Sequence, residues 1–265
     1  MSDGTPQLKL SRTTNGYVLR VARVGFFSIA PQGIGVFHNG DVSPVPYLLG
    51  RVFTLWLELF HMPVLHGATL HIHGTARGFL GHSGAGKSTL TGYLNTRDIP
   101  LVTDDLIPLE DQNGTFIVQP GIPCSRMWPA FGREFYGASF DDFPRVHPEI
   151  DKRRIPRIVA GRDRFVTNAV PLTHLYILER DEHQPEPQIS RLPPAQALVH
   201  LAHLSSIHLE IKALGLQSTR LMTLAKLVER TQVNRLRYGN GLATLEHIAQ
   251  LLTHSSTQSA TPPGG

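Results

Sequence analysis

The segment that most constrains the fold of this chain is a glycine-rich run that matches the phosphate-binding pattern G-x-x-x-x-G-K-[ST] at every fixed position. It reads Gly81-His82-Ser83-Gly84-Ala85-Gly86-Lys87-Ser88. Glycines lack a Cβ, so the backbone can approach a ligand closely and successive N–H groups can converge on phosphate oxygens. We therefore predict a nucleotide site at residues 81–88 and Thr89, with Lys87 on the phosphates and Ser88 on Mg²⁺.

The residues on either side of this run favour the phosphate-binding interpretation. Residues 76–80 read as a short buried strand that enters the loop, and residues 89–94 as the helix that leaves it. A phosphate-binding loop requires this setting. Chance alone produces the pattern on the order of once per hundred chains of this length, and the alternative is a glycine-rich turn before a helix. Alternating strands and helices predict an α/β domain with helices packed on a mixed central sheet.

The composition is that of a globular protein and excludes several functional classes. Of the 265 residues, 41% are hydrophobic and 17% are charged, which fits neither a disordered chain nor a coiled coil. The net charge of +4 is mild and the cations are scattered, so we expect no nucleic-acid partner. Cys124 is the only cysteine, no run approaches 18 apolar residues, and residues 1–6 lack a signal-peptide pattern. We expect a cytoplasmic protein with no membrane partner.

A pair of adjacent acids follows the next predicted strand. Residues 99–103 are mostly apolar and end at Asp104-Asp105. In proteins with a phosphate-binding loop, the strand that carries the second acidic motif runs beside the loop strand, so its acids face the Mg²⁺–phosphate site. Adjacent strand residues point to opposite faces, so we expect one acid to hold the metal and the other to accept a proton from an attacking hydroxyl. The alternative is an Asp-Asp turn between strands.

Three elements, in order and at matching intervals, resemble the catalytic domain of the HPr kinase/phosphorylase family: His66-Gly67, the run from Gly81 to Ser88, and Asp104-Asp105. The family comprises bacterial P-loop serine kinases whose ATP site is similar to that of phosphoenolpyruvate carboxykinase. The resemblance implies that Lys87 contacts the ATP phosphates, that Asp105 is the base for a serine hydroxyl, and that His66 lies close to the reacting phosphate. The predicted metal ligands are Ser88 and Asp104. Family members commonly form homo-oligomers, which we expect here too.

The chain departs from the family in two places. Residues 119–126 stand where the family has an acidic, glycine-containing signature that supplies another metal-binding glutamate. The first sixty residues are unlike the family's long regulatory domain. The chain therefore looks more like the stand-alone kinases found with modified-peptide pathways, including lasso peptides. That resemblance implies a serine-containing peptide or protein as the acceptor, such as a ribosomal precursor peptide.

The predicted organisation has three parts. A small β unit plus an amphipathic helix occupies residues 1–62 and packs on a P-loop kinase domain at 63–253, and a disordered tail occupies 254–265. The kinase domain is expected to have a fold similar to that of HPr kinase and phosphoenolpyruvate carboxykinase. Its later part is predicted to contain helices that begin near residues 194, 218 and 242, and an edge strand at 233–238.

Residues 131–165 show little periodicity, and compact domains usually keep such a segment only for a function. We expect it to bind the acceptor or to act as a lid. Five cations in or near it could neutralise charge on a transferred phosphoryl group, as an arginine finger does: Arg126, Lys152, Arg153, Arg154 and Arg157. The alternative is a solvated basic face, and the sequence does not choose among the five.

The same motifs also suit two other functions. A nucleotide-hydrolysing switch protein would use Asp105 to orient water, and a small-molecule kinase would differ only in its acceptor pocket. Acceptor-free hydrolysis and the size of the cleft beside residues 131–165 distinguish these possibilities.

Overall fold

The computed structural model describes residues 8–147, 150–204 and 207–254 of the chain. It is a mixed α/β structure in which a small antiparallel sheet precedes a larger mixed sheet. Residues 1–6 lie outside the described residues, as do residues 255–265 of the predicted disordered tail. His254, which was predicted to begin that tail, is instead the last residue of a helix. Within the described part of the chain, no helix is long and apolar enough to cross a membrane.

The small sheet comes from the beginning of the chain and corresponds to the predicted β unit. Its strands are β1 (Leu8–Thr13), β2 (Gly16–Val21), β3 (Gly25–Ala30) and β4 (Gly33–His38). They pair in sequence order and antiparallel. Leu19 of β2 is paired with Phe27 of β3, and both are fully buried. Because alternate residues of a strand share a face, this register gives the sheet one apolar side.

A helical segment covers that apolar side. It consists of α1 (Val45–Tyr47), a π-helical turn (Leu48–Val52) and α2 (Phe53–Phe60). Val52 and Leu55 pack against the sheet in one buried cluster. On another side of α2, Glu58 forms a buried ion pair with Arg220, far along the chain. The predicted amphipathic helix is therefore present, and it contacts both parts of the molecule.

The larger sheet contains the strands that surround the predicted site. They are β5 (Val64–Ile72), β6 (Thr75–Leu80), β7 (Leu101–Thr103), β8 (Leu106–Gln112), β9 (Thr115–Val118), β15 (Val170–Arg180), β16 (Gln188–Arg191) and β17 (Gln232–Tyr238). The order is β16-β17-β15-β6-β5-β8-β9, and β7 also pairs with β5. β6, β15 and β17 are parallel, while β5 is antiparallel to both β6 and β7. β7 therefore runs in the same direction as β6.

The strand at 233–238 was predicted to lie at an edge of the sheet, and this is wrong. β17 pairs in parallel with β15 and antiparallel with β16, so β16 forms the edge instead. All four residues of β16 are exposed. Its sequence therefore lacks the alternation of buried apolar and exposed polar residues that would predict a strand. The burial of Val233, Asn234 and Leu236 agrees with the internal position of β17.

Helices cover both faces of the larger sheet. α3 (Lys87–Thr96) and α8 (Leu242–His254) pack on one face, and α5 (Pro194–His203) and α7 (Gln217–Arg230) pack on the other. The short α6 (His208–Ala213) adds Ile211 to the core under the small sheet. Along β15, Leu175 belongs to one core and Tyr176 to the other, as alternation in a strand requires. The helices predicted near residues 194, 218 and 242 are all present.

Residues 124–147 and 150–163 form a folded side unit rather than an irregular loop. The elements are β10 (Cys124–Met127), α4 (Pro129–Tyr136), a 3₁₀ turn (Gly137–Asp142), β11 (Arg145–His147), β12 (Ile150–Pro156), β13 (Ile158–Val159) and β14 (Arg162–Asp163). Met127, Phe140 and Ile155 form its own small core. The strands are too short and the aromatic residues too irregularly spaced for periodicity to reveal them.

Candidate active site

The predicted loop and the predicted acids lie at the same edge of the larger sheet. The loop follows β6, and Asp104 and Asp105 follow β7, which runs in the same direction. β5 lies between these two strands, so the expectation that the acidic strand runs directly beside the loop strand is wrong. Because β5 is antiparallel to both, its first residues, including His66, lie at this edge. Ligands of α/β sheets usually bind where the parallel strands end.

The backbone of the loop has the conformation that its glycines predict. Gly84 and Gly86 have φ angles of 84° and 88°, in the left-handed region that glycine adopts without steric cost. A Cβ on Gly86 would also lie 2.5 Å from Tyr238 Oη. α3 begins directly after this glycine, and no side chain caps its N-terminus. The N–H groups of its first turn can therefore meet an anionic ligand.

The remaining predicted phosphate-binding residues occupy this loop and the first turn of α3. His82, Ser83 and Gly84 are exposed, and Ala85, Ser88 and Thr89 are half-buried. Residues 81–89 thus form one continuous segment that begins at the end of β6 and includes the first turn of α3.

The Lys87 side chain folds back over the loop. Its Nζ donates hydrogen bonds to Gly81 O at 2.5 Å and to His82 O at 3.3 Å. Burial lowers the pKa of Lys87, although Asp105 opposes that shift. The ammonium group therefore has two loop carbonyl oxygens as hydrogen-bond partners and is influenced by the charges of Asp105 and Asp104 without direct contact.

Both aspartates contact Arg126 of β10. Asp104 Oδ2 accepts the backbone N–H of Arg126 at 3.0 Å, and the Asp105 carboxylate forms an ion pair with the Arg126 guanidinium. Asp105 has a φ of 76°, so the chain leaves the extended conformation at this residue. Strand alternation does not extend to this turn. The expectation that the two acids separate to opposite faces of a strand is therefore wrong.

The two carboxyl groups nevertheless differ in their affinity for a proton. Burial raises the pKa of Asp104 to about 6, and the charge of Arg126 opposes this only in part. For Asp105, burial also raises the pKa, but Arg126 and His66 outweigh it and hold the pKa below its usual range. Near neutral pH, Asp105 is thus a carboxylate in contact with the Arg126 guanidinium, and Asp104 is the carboxyl group with the higher proton affinity.

His66 lies against the turn that carries Asp105. Its Nδ1 is 3.0 Å from Asp105 O and 3.9 Å from Asp105 Oδ1. The backbone N–H of Gly67 also donates to Asp105 O, at 3.1 Å. Because a carbonyl can only accept, Nδ1 carries a proton in this arrangement. Burial lowers the pKa of His66, which favours the neutral ring and leaves Nε2 as an acceptor.

Of the five cations that the sequence left open, two share the electrostatic environment of the aspartates. Arg126 contacts Asp105 directly, and the Lys152 charge interacts with Asp104, Arg126 and Lys87. Burial lowers the pKa of Lys152, whose Nζ lies 5.9 Å from the centre of the Trp128 ring. The other three cations have partners elsewhere: Arg153 with Asp141 and Phe143 O, Arg154 with Val146 O, and Arg157 with Asp163.

Tyr238, at the end of β17, is a site residue that sequence reasoning missed. Its hydroxyl donates a hydrogen bond of 2.7 Å to Ala85 O in the loop. Burial raises the pKa of Tyr238 to about 12, so the hydroxyl stays protonated and remains a donor. No local signal identifies this residue, because its place beside the loop depends on the parallel order of β6, β15 and β17.

A cavity of about 430 Å³ opens beside the two aspartates. The helical segment of residues 45–60 forms one wall, and the chain from Gln119 to Arg126 forms another. The volume lies within the range of about 300–1,000 Å³ that is usual for ligand pockets. No residue of the loop at 81–88 lines it, so it is distinct from the predicted phosphate site.

The donor set at this edge fits Mg²⁺ only in combination with a nucleotide. Within the described ranges, no group of three or more His, Cys, Asp or Glu side chains could hold a metal on its own. Mg²⁺ commonly keeps several waters and takes one or two carboxylates together with substrate phosphates. Ser88 and Asp104 suit that mode. Residues 119–126 contribute the Arg126 cation to this edge and contain no acidic side chain.

The structure was compared with known proteins. It is similar to the HPr(Ser) kinase/phosphatase from Coxiella burnetii, with a TM-score of 0.40 and 16% sequence identity, over 72% of this chain and 95% of that chain. No protein-family model matches the sequence, and no curated protein matches it. The residues of the site, rather than this likeness, therefore form the basis of the functional proposal.

Proposed function

We propose that this chain is a kinase that uses ATP and Mg²⁺ to phosphorylate a serine hydroxyl of a peptide or protein. The observation that carries the proposal is the meeting of three predicted groups at one sheet edge: the Lys87 ammonium, the Asp105 carboxylate and the His66 ring. The three groups come from three different strands or strand ends. A phosphate-binding loop would thus lie beside a potential proton acceptor.

In this proposal, the loop and Lys87 bind and orient the phosphates. The N–H groups of residues 84–88 and the Lys87 ammonium would contact phosphate oxygens, with Nζ exchanging its two carbonyl partners for them. Ser88 and Asp104 would hold Mg²⁺, which offsets charge on the phosphoryl group when bound. A metal ligand must be deprotonated, so Mg²⁺ would keep Asp104 as a carboxylate despite its raised pKa.

Asp105 is the proposed acceptor of the serine proton. Its lowered pKa makes it fully ionised at neutral pH but a weak base. Phosphoryl transfer passes through a loose transition state in which positioning and charge neutralisation matter more than strong bases. The serine oxygen would form its bond to the γ-phosphorus as the bond to the ADP oxygen breaks, and the proton would pass to Asp105. Arg126 and Lys152 are the proposed cations that offset charge during this step.

The proposal is tested by incubating the protein with Mg²⁺, ATP, and either serine-containing peptides or a cell extract, followed by mass spectrometry. We expect a phosphate-mass adduct on serine. The Asp105→Asn variant should keep ATP affinity while transfer falls about 10²- to 10⁴-fold, the usual contribution of a positioned base. Unchanged turnover in that variant would remove Asp105 from the role of base.

The Lys87→Ala variant tests the loop separately. Because Lys87 is proposed to contact the phosphates before and during transfer, nucleotide affinity and transfer should fall together. Tight ATP binding by this variant, measured by calorimetry, would contradict the assignment of the loop. Lys226→Ala is the matched control, because Lys226 is an exposed lysine on α7.

A small-molecule kinase is the second candidate, and the cavity of about 430 Å³ beside the aspartates favours it. If ADP accumulates only when extract is added and no peptide gains phosphate, this candidate replaces the first. ADP formation at the same rate without any acceptor would instead indicate a nucleotide-hydrolysing switch. The predicted homo-oligomer is a separate proposal, to be tested by light scattering of the purified protein.

A further inference from the structure

The cavity beside the aspartates has an apolar rim and an ionic floor. Val45, Leu49 and Ile122 line it and are 39%, 39% and 46% exposed, so three large apolar side chains that face solvent meet at one opening. Phe53 and Leu57 continue the apolar wall further along the same helical segment. The floor is formed by the residues that carry the proposed chemistry, Asp104, Asp105 and Arg126, together with Arg154.

The size and the lining of this cavity indicate that it holds a ligand. It is open to solvent, and its volume of about 430 Å³ lies within the range of about 300–1,000 Å³ that is usual for ligand pockets. Apolar side chains that are exposed together, rather than singly, commonly mark a binding site. A ligand that fits must be apolar where it meets Leu49 and Ile122 and polar where it meets Asp105.

The cavity and the predicted phosphate-binding loop have separate linings. Its lining contains Asp104, Asp105 and Arg126 but no residue of the loop at 81–88. Lys87 interacts electrostatically with Asp105 from the loop side. Asp105 therefore lies between the phosphate-binding loop and the cavity, which is where an acceptor hydroxyl must be in an in-line transfer.

We infer that the cavity is an acceptor subsite that binds one bulky apolar side chain next to the serine to be phosphorylated. This inference rests on the proposed function. The helical segment at residues 45–60 supplies Leu49 as one wall, and the chain before β10 supplies Ile122 as the facing wall. A peptide whose serine has no bulky apolar neighbour would bind more weakly, because it would bury no apolar side chain in this subsite.

The first test varies the acceptor. Peptides with a single serine and either Leu, Phe, Ala, Asp or Lys on each side of it are incubated with the protein, Mg²⁺ and ATP, and initial rates are measured by mass spectrometry. We expect Leu or Phe beside the serine to raise kcat/KM about tenfold to a hundredfold over Asp or Lys, the effect of burying one such side chain. Equal rates for all peptides would overturn the subsite and leave the kinase proposal intact.

The second test varies the walls. In Leu49→Gln and Ile122→Gln, the preference for Leu or Phe should shrink by at least about threefold, through a higher acceptor KM, while the ATP KM stays unchanged. Val199→Gln is the matched control, because Val199 is an exposed apolar residue on α5 that does not line this cavity. A preference that survives both wall variants would overturn the inference.

The third test uses one acceptor peptide and does not vary its sequence. Cys124 lines the cavity and is the only cysteine of the chain, so a thiol reagent reports on this place alone. Burial raises the pKa of the Cys124 thiol, so labelling needs mildly alkaline solution. A phenyl-bearing disulfide reagent should block transfer while leaving ATP affinity unchanged, and Cys124→Ser should resist the block. Full transfer by quantitatively labelled protein would overturn the inference, whereas loss of ATP affinity would mean that the cavity serves the nucleotide.

Discussion

Replacing Arg220 with methionine is expected to destabilise the protein strongly. Arg220 on α7 and Glu58 on α2 form an ion pair in which each side chain is only 6% exposed. Glu58 Oε1 also accepts the backbone N–H of Val64 at 2.8 Å, and Arg220 donates to Val64 O at 2.9 Å. The pair thus satisfies both backbone polar groups at the start of β5, two residues before His66.

The expected loss of unfolding free energy is about 3–5 kcal/mol, the usual cost of leaving one charge of a buried pair without its partner. For a chain of this size, that corresponds to a fall in Tm of roughly 6–20 °C. Arg220→Met keeps most of the aliphatic volume, so the loss reports on the charge and its hydrogen bonds rather than on a large void. The unpaired Glu58 carboxylate can take up a proton to escape this cost, so the deficit should shrink as the pH falls.

The measurement is urea unfolding of wild type and variant, followed by circular dichroism, at pH 7.5 and at pH 5. Arg230→Met is the matched control, because Arg230 is exposed at the end of the same helix, and its loss should change stability by less than about 0.5 kcal/mol. The double variant Glu58→Leu with Arg220→Met should recover part of the loss, since no buried charge remains. A loss below about 1 kcal/mol for Arg220→Met, or a deficit that does not change with pH, would refute the reasoning.

Two further predictions concern the site itself. Tyr238→Phe removes the hydrogen bond to Ala85 O, a loss of about 0.5–1.5 kcal/mol. If that bond orders the loop for nucleotide binding, ATP should bind roughly two- to twelvefold more weakly by calorimetry; unaltered affinity would mean that the bond does not order the loop. The pKa of Asp104 is raised to about 6, so Mg²⁺-dependent transfer should fall about tenfold per pH unit below that value. Because Mg²⁺ and the proton compete for Asp104, a higher Mg²⁺ concentration should move the midpoint of the rate–pH profile to lower pH. If the midpoint of the rate–pH profile does not change with the Mg²⁺ concentration, the assignment of Asp104 as a metal ligand is contradicted.

The nucleotide half of the proposed site could be inferred from the sequence because it is local. In the proposal, residues 81–89 bind phosphate through consecutive backbone groups, and α3 starts within this run, at Lys87, so one short pattern contains the whole element. The strand–loop–helix setting and the helices near residues 194, 218 and 242 followed from patterns of similar range. Which atoms these residues contact in a working enzyme remains a prediction.

The relation between the loop and the acids could be predicted only in part. The sequence indicated correctly that Asp104 and Asp105 follow a buried strand, but it placed that strand beside β6, whereas β5 lies between them. Because β5 pairs antiparallel with both β6 and β7, these two strands run in the same direction although they are not neighbours. Their carboxyl ends therefore still lie at the same edge of the sheet. The same insertion brings His66 to Asp105.

The opposite-face argument for the acids was wrong because it assumed an extended strand where the chain turns. At Asp105 the φ of 76° rotates the side chain away from strand alternation. What distinguishes the two carboxyl groups is their contact with Arg126. Asp105 forms an ion pair with the guanidinium, whereas Asp104 accepts the backbone N–H of the same residue. Such a difference comes from packing of β10 against the turn, which no local sequence pattern encodes.

The acceptor half of the proposed site is spread over distant segments, which has a consequence for specificity. Its walls come from the helical segment at residues 45–60, which packs in the core of the small sheet, from the chain at 119–126, and from the side unit, which has a small core of its own. Substitutions such as those at Leu49 or Ile122 change the lining without disturbing β6 or the loop, because these side chains are partly exposed and belong to neither sheet core. If the proposed function holds, the phosphate chemistry is separable from acceptor choice: a change of acceptor would require new residues on the walls, while Lys87, Asp104 and Asp105 would stay in place.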